Sequence, residues 1–142
     1  MDIHGFMAAY KRVWEGQDKH GFAALFTPAG RYWNTPFQVQ KGAGELAAYW
    51  ARIELQRDIS LAYEVLAEME GGGIAHWRVT YQVASEDIFR IWAASAGTGL
   101  PGRAPGDPLP RLTLDGVLTA RFAPEGLCEE ARIWWHSVAQ AP

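Results

Sequence analysis

Tyr10, Asn34 and Asp115 are the side chains of this 142-residue chain whose types and positions point to chemistry. Tyr10 falls on the apolar side of an N-terminal helical pattern, so its hydroxyl needs a partner, either a ligand or another buried group. Asn34 stands just before Thr35-Pro36-Phe37 and offers its amide to a carbonyl or a water, or else forms the turn. Asp115 precedes Gly116 at a strand start: desolvated, its carboxylate would serve as a base; exposed, it caps a turn. Cys128, the only cysteine, rules out an internal disulfide and a multi-cysteine metal site and reads as a small strand residue. His76 and His136 alternate with Trp77 and Trp135 and so face away from them, while His4 and His20 sit on solvated helix faces. No carboxylate or third histidine stands at ligand spacing, so no metal is expected. There is no nucleophile elbow, phosphate loop or dinucleotide fingerprint, and no cofactor is expected.

The elements that hold these residues follow from hydrophobic period. Ile3, Phe6, Met7, Tyr10, Val13 and Trp14 recur at helical spacing, which predicts an amphipathic helix from 3 to about 15, ended by Gly16. Asp18 caps a short second helix with Phe22, Leu25 and Phe26 inward and Pro28 as its stop. Arg31-Tyr32-Trp33 reads as a short strand. A third helix after Gly42 buries Leu46, Tyr49, Trp50 and Ile53. The period then falls to two: 59–69 and 75–83 read as strands joined through Gly71-Gly72-Gly73, whose glycines supply positive φ. Leu112, Leu114, Gly116, Leu118, Ala120 and Phe122 continue the alternation, and a turn at Pro124 and Gly126 leads into Leu127 to Trp135. Three helices followed by two hairpins predict an α+β fold, an antiparallel sheet with helices on one face.

One domain over 1–142 is expected at this length. Residues 84–111 interrupt the pattern: Ser85 starts a helix with Ile88, Ile91 and Trp92 on its apolar side, and 97–110 is dense in Gly and Pro. A segment of this kind is either a lid or partner contact, or a tolerated surface excursion. Seven Trp, five Tyr and six Phe make the chain unusually aromatic. Each such ring contributes roughly 3–5 kcal/mol when buried, so most belong to a core or a cavity wall. Net charge is −3, and only three of the thirteen basic residues are Lys, without a run of them. That excludes a nucleic-acid surface. Neither an N-terminal apolar leader nor a membrane-length apolar stretch is present, and a cytoplasmic protein is expected.

The order of these elements, with Met7-Ala8-Ala9-Tyr10, Asp18, Thr35-Pro36-Phe37, Gly42, Ala47-Ala48-Tyr49-Trp50, Gly73 to Tyr81, Asp115-Gly116 through Phe122, Gly126 and Trp134-Trp135-His136, resembles the nuclear transport factor 2-like (SnoaL-like) superfamily, which includes the ketosteroid isomerases. The resemblance implies a cone: a strongly curved sheet wrapped around the three N-terminal helices, with an apolar cavity open at one end. It places Tyr10, Trp50, Trp77, Val79, Tyr81, Leu118, Ala120, Phe122, Ile133 and Trp135 on the cavity wall; Asn34 is next to the expected mouth, and Trp33 is expected among the ligand-binding residues. Tyr10 matches the oxyanion tyrosine of the isomerases. Thr35 stands at the position of their base and Leu118 at that of their acidic donor. A threonine hydroxyl is no base near neutral pH, and leucine has no proton to share, so ketosteroid isomerase activity is not expected.

These readings lead to an aromatic cavity binding a small apolar or aromatic molecule, with hydrogen bonds from Tyr10 and from Asn34 or Asp115. One alternative is an isomerase, dehydratase or cyclase acting by proton transfer on a cyclic or polyketide-like substrate, with Asp115 as base and Tyr10 as oxyanion donor. A second is a non-enzymatic dimeric adaptor with a filled core. The outer sheet face, carrying His76, Arg78, Arg132, Trp134 and His136, is the expected homodimer contact, because an exposed Trp134 is costly to leave wet.

Overall fold

The computed structural model describes residues 1–96, 103–104 and 106–141. Helix α1 (Ile3–Glu15) forms as its apolar stripe requires: Asp2 caps it by accepting the Gly5 N–H at 2.9 Å, and its buried residues are the six of the predicted stripe plus Ala9. Helix α2 (Lys19–Ala23) begins at Asp18, which accepts the Gly21 N–H at 2.9 Å. Strands β1 (Phe26–Thr35) and β2 (Gln38–Lys41) then make a hairpin, and helix α3 (Gly42–Trp50) runs into a 3₁₀ turn over Ala51–Leu55. Strands β3 (Gln56–Met69) and β4 (Gly72–Val83), helix α4 (Glu86–Ala96), and strands β5 (Arg111–Phe122) and β6 (Cys128–Gln140) complete the chain. The sheet has six strands in the order β2-β1-β6-β5-β4-β3 and holds the first three helices in its curve.

The alternation read for β4 and β5 is seen directly. On β4 every second residue from Gly73 to Val83 is buried, and on β5 every second residue from Leu112 to Phe122. Edge strand β3 is tied to α1 through Glu15, whose carboxylate takes the Leu61 N–H at 2.9 Å and the Lys11 ammonium at 2.8 Å. An otherwise open strand edge is thereby covered.

Three expectations change. The sheet is mixed rather than antiparallel, because β1 runs parallel to β6, pairing Arg31 with Glu130 and Trp33 with Arg132. The two strands start side by side, where the Cys128 N–H bonds the Leu25 carbonyl at 2.9 Å, so they advance together. Strand β1 is also far longer than the three residues expected. It passes through Pro28 because the register slips between Phe26 and Arg31, and a bulge accommodates the missing donor. Third, only Gly71 of the three glycines has positive φ, at 73°. Gly72 and Gly73 already lie in β4. A Cβ on Gly73 would stand 2.5 Å from that of Ile3, so this glycine lets α1 touch the sheet.

The apolar helix expected after Ser85 is α4, whose start is capped by the Ser85 hydroxyl accepting the Ile88 N–H at 3.3 Å. Positions 97–102 and 105 of the Gly/Pro-rich stretch lie outside the described residues. Among the described residues no helix is long and apolar enough to cross a membrane.

Candidate functional site

Most of the aromatic content is packed solid. Trp50 sits at the centre, stacked on Phe22 with ring centroids 3.8 Å apart and planes within 5°. Tyr10, Trp14, Tyr32 and Tyr49 close around it at 5.3–6.3 Å. The Tyr10 hydroxyl finds its partner there, a 2.6 Å hydrogen bond with the Tyr32 hydroxyl. Burial pushes the pKa of both phenols upward, so both remain neutral, one donating and the other accepting.

A void of about 60 Å³ survives between the sheet and α4. Its walls include Trp50 from α3, Trp77 and Tyr81 from β4 and Trp135 from β6, and Ile88 and Trp92 of α4 bear on it. An apolar cavity of about 150 Å³ holds a benzene. The present space is well under half of that and too small for such a ring while α4 is in place. The helix is anchored by Ile88 and Trp92, both buried, and by the Trp92 indole N–H on the Ser137 hydroxyl at 2.8 Å.

Of the residues expected to bind a ligand, the structure brings Asn34, Trp50, Trp77, Tyr81 and Trp135 to this void. It places Tyr10, Leu118 and Phe122 in the packed core; Phe122 lies against Phe6 at 5.7 Å. Trp33 is on the outer face, under the Arg132 guanidinium at 4.5 Å and near Glu130, because β1 alternates Tyr32 and Asn34 inward with Trp33 outward. Asn34 is held rather than free: its amide donates to Gln38 at 2.9 Å and accepts from Gln40 at 3.2 Å, and its backbone carbonyl accepts the Trp135 indole at 2.8 Å. Sequence reasoning missed Gln56, Tyr49 and Arg52 as lining residues, and Tyr32 as the partner of Tyr10. The Arg52 guanidinium lies 4.1 Å from the Tyr49 ring centroid and is the one charged group on the lining among the described residues.

The tryptophan indoles divide sharply. Trp14 donates to Gln56 at 2.9 Å, Trp50 to the Val13 carbonyl at 3.2 Å, and Trp33, Trp92 and Trp135 have the partners already given. Trp134 is 45% exposed to water. Trp77 alone is fully buried with an Nε1–H that meets no acceptor among the described residues. Tyr81, 3% exposed, likewise has no hydroxyl partner among them, and burial raises its pKa above the ordinary phenol value.

Asp115 and Tyr10 are not brought together. The alternation that buries Leu114 and Gly116 turns Asp115 to the outer face, where both its oxygens accept from His76 Nε2 at 2.9 and 3.0 Å and one accepts from Arg78 Nε at 2.8 Å. Partial burial pushes its pKa up, but the His76 and Arg78 hydrogen bonds outweigh that and hold it below the ordinary carboxylate value. A carboxylate so held is a weak base, and its work here is cross-strand pairing. Because the folded pKa is depressed, the stabilisation is present above the unfolded value and is lost as pH falls through the folded one. Asp115→Asn is expected to lower the melting temperature at pH 7 and to leave it unchanged in acid below that folded pKa. An equal drop at both pH values in a calorimeter would refute the pairing.

The same outer face carries a broader open groove of about 710 Å³ between the β1–β2 turn and β5–β6, with Phe37, Gln38, Val117, Trp134 and His136 on its walls. Cys128 is buried, and its burial pushes the thiol up to about 12, so it is inert. Among the described residues no group of three or more His, Cys, Asp or Glu could hold a metal ion.

A family model described as a SnoaL-like domain matches residues 7–129. The fold is shared with solved structures of low sequence identity. One is a hypothetical protein with a ketosteroid isomerase-like fold from Catenulispora acidiphila, solved in complex with trimethylamine: 10% identity, 92% of this chain and 84% of that one, TM-score 0.65. Another is SalBIII, an epoxide hydrolase/cyclase-like enzyme of pyran ring formation in the polyether salinomycin: 13% identity, 93% and 88%, TM-score 0.66. No curated protein matches.

Proposed function

The chain belongs to the SnoaL-like domain family, and on that premise we propose that it binds a small, mainly apolar molecule at the open end of the cone, with α4 as the lid. The observation that carries this reading is the aromatic void roofed by α4, whose fully buried side chains among the described residues are Ile88 and Trp92, with Phe89 and Ala93 half-buried beside them. A roof so lightly held opens more readily than the sheet beneath it, and lifting it enlarges a space that is too small when closed. Among the described residues the lining offers no carboxylate and no histidine, which supports binding over proton abstraction. The cyclase-like chemistry of SalBIII stays with that protein.

The reading includes a homodimer through the outer sheet face, where Trp134 and Val138 stand exposed on one strand, and a cytoplasmic location. Native mass spectrometry of freshly purified protein tests both parts. The expected result is a dimer mass carrying a non-covalent small-molecule adduct that Trp92→Ala releases. A bare monomer, with no change in tryptophan fluorescence on titration with small cyclic ketones and hydrocarbons, would overturn it.

A further inference from the structure

Among the described residues, the Trp77 indole nitrogen is the one fully covered side-chain donor that the fold leaves unanswered. Buried donors without a partner are rare, because each forfeits its hydrogen bond to water and gains nothing in return. The chain satisfies the other buried indoles with care, and even the half-covered Trp135 reaches a backbone carbonyl. Trp77 is held in place by the sheet: it sits opposite Gly116 on β5, whose missing side chain leaves room for the ring, and packs 5.6 Å from Trp14. The ring therefore has little freedom to seek an acceptor elsewhere, and it backs the void beneath α4, its nitrogen covered while that helix is in place.

We infer that the ligand of this site is a neutral molecule with an apolar body and a hydrogen-bond acceptor, a carbonyl or ether oxygen, that receives the Trp77 Nε1–H. The inference rests on the reading of the void as a binding site and deepens it by naming the ligand class. An indole nitrogen donates and does not accept, so an alcohol or amide gains nothing there from its own hydrogen. Tyr81, with its free and neutral hydroxyl on the same wall, is a second group able to answer a polar ligand. A cation is disfavoured because the one charge on the lining is the Arg52 guanidinium. A carboxylate would leave water for a wall of indoles and aliphatic chains with only Arg52 to compensate, and that guanidinium already lies over Tyr49 and donates to its carbonyl at 3.2 Å.

The test compares cyclohexanone with methylenecyclohexane, which replaces the carbonyl by an apolar group of the same shape, and with cyclohexanecarboxylate. Binding is followed on the full chain by two-dimensional NMR of the tryptophan indole protons, with the Trp77 signal assigned by its loss in Trp77→Phe. The expected result is that cyclohexanone binds about tenfold more tightly than methylenecyclohexane, shifts the Trp77 indole proton downfield, and loses this advantage in Trp77→Phe. Equal affinity of ketone and alkene, with the Trp77 proton unmoved, overturns the inference and leaves the binding site standing. Preference for cyclohexanecarboxylate also overturns it, in favour of an anion site at Arg52. Absence of binding by all three removes the site and the inference together. If Trp77→Phe does not fold, the Trp77 signal is assigned in the unaltered protein by its through-space contacts to Trp14, and its shift still decides between these outcomes.

Discussion

Trp50→Ala is expected to cost about 3–5 kcal/mol of folding stability, the range for truncating a fully buried tryptophan. In a chain of this length that is a fall of roughly 10–15 °C in melting temperature. The reason is position. Trp50 ends α3, stacks flat on Phe22 of α2 and touches Tyr10 and Trp14 of α1, so one ring joins all three helices inside the sheet. Its indole N–H also bonds the Val13 carbonyl at 3.2 Å, a contact that is lost although that carbonyl keeps the Asp18 N–H at 2.9 Å. The hole left behind would be apolar and adjoin the void beneath α4, a setting in which a small aromatic molecule can take the place of the missing side chain. Added indole should therefore recover part of the lost melting temperature in Trp50→Ala and do less for the unaltered protein. Calorimetry with and without indole checks both statements. A loss below about 1 kcal/mol would mean that the cluster re-packs around the gap and that the helices are held mainly by other contacts.

How much of this was legible in the sequence depends on how local the signal is. Strands β4, β5 and the first half of β6 carry one buried face over many residues, so the period of two and the inward set Trp77, Tyr81, Leu118 and Ile133 could be read directly. The α1 stripe was equally plain. Strand β1 was not, because Pro28 and Gly30 break its pattern and the bulge that absorbs them depends on β6, a hundred residues away. Two errors follow from that one gap. Trp33 was expected among the ligand-binding residues when it faces outward, and Tyr32 was missed as the partner that satisfies Tyr10. The outward turn of Asp115 was available all along, since Leu114 and Gly116 were already assigned inward and neighbours on a strand point to opposite faces. The spacing of Ile88 and Trp92 identified an apolar helix face, but the surface it covers is made by β4 and β6 and has no local signature. The size of the void was beyond reach for a related reason: alternation is the same for a wall around a ligand and a wall packed solid, and only the positions of the rings distinguish them.

Gly116→Ala is expected to cost about 3 kcal/mol, at the upper end for overpacking, although alanine adds a single methyl group. A Cβ at this position would lie 2.4 Å from the Trp134 carbonyl oxygen, 2.8 Å from the Trp77 ring and 3.0 Å from the Trp135 Cβ. The first of these is backbone in the neighbouring strand, which cannot step aside without parting β5 from β6. The second is the ring on the void wall. Relief by shifting Trp77 drives its indole into the remaining 60 Å³, so the variant should lose stability and ligand binding together. Thr119→Ala, on the outer face of the same strand, is the control and should leave both within ordinary surface variation, about 0.5 kcal/mol. The two measurements separate the roles of the glycine. If Gly116→Ala unfolds early in urea yet its Trp77 indole proton still answers cyclohexanone as in the unaltered protein, the strain has gone into the β5–β6 ladder and the void wall has kept its shape. If stability is unchanged, the close approach of Trp77 to the sheet is not what this position protects.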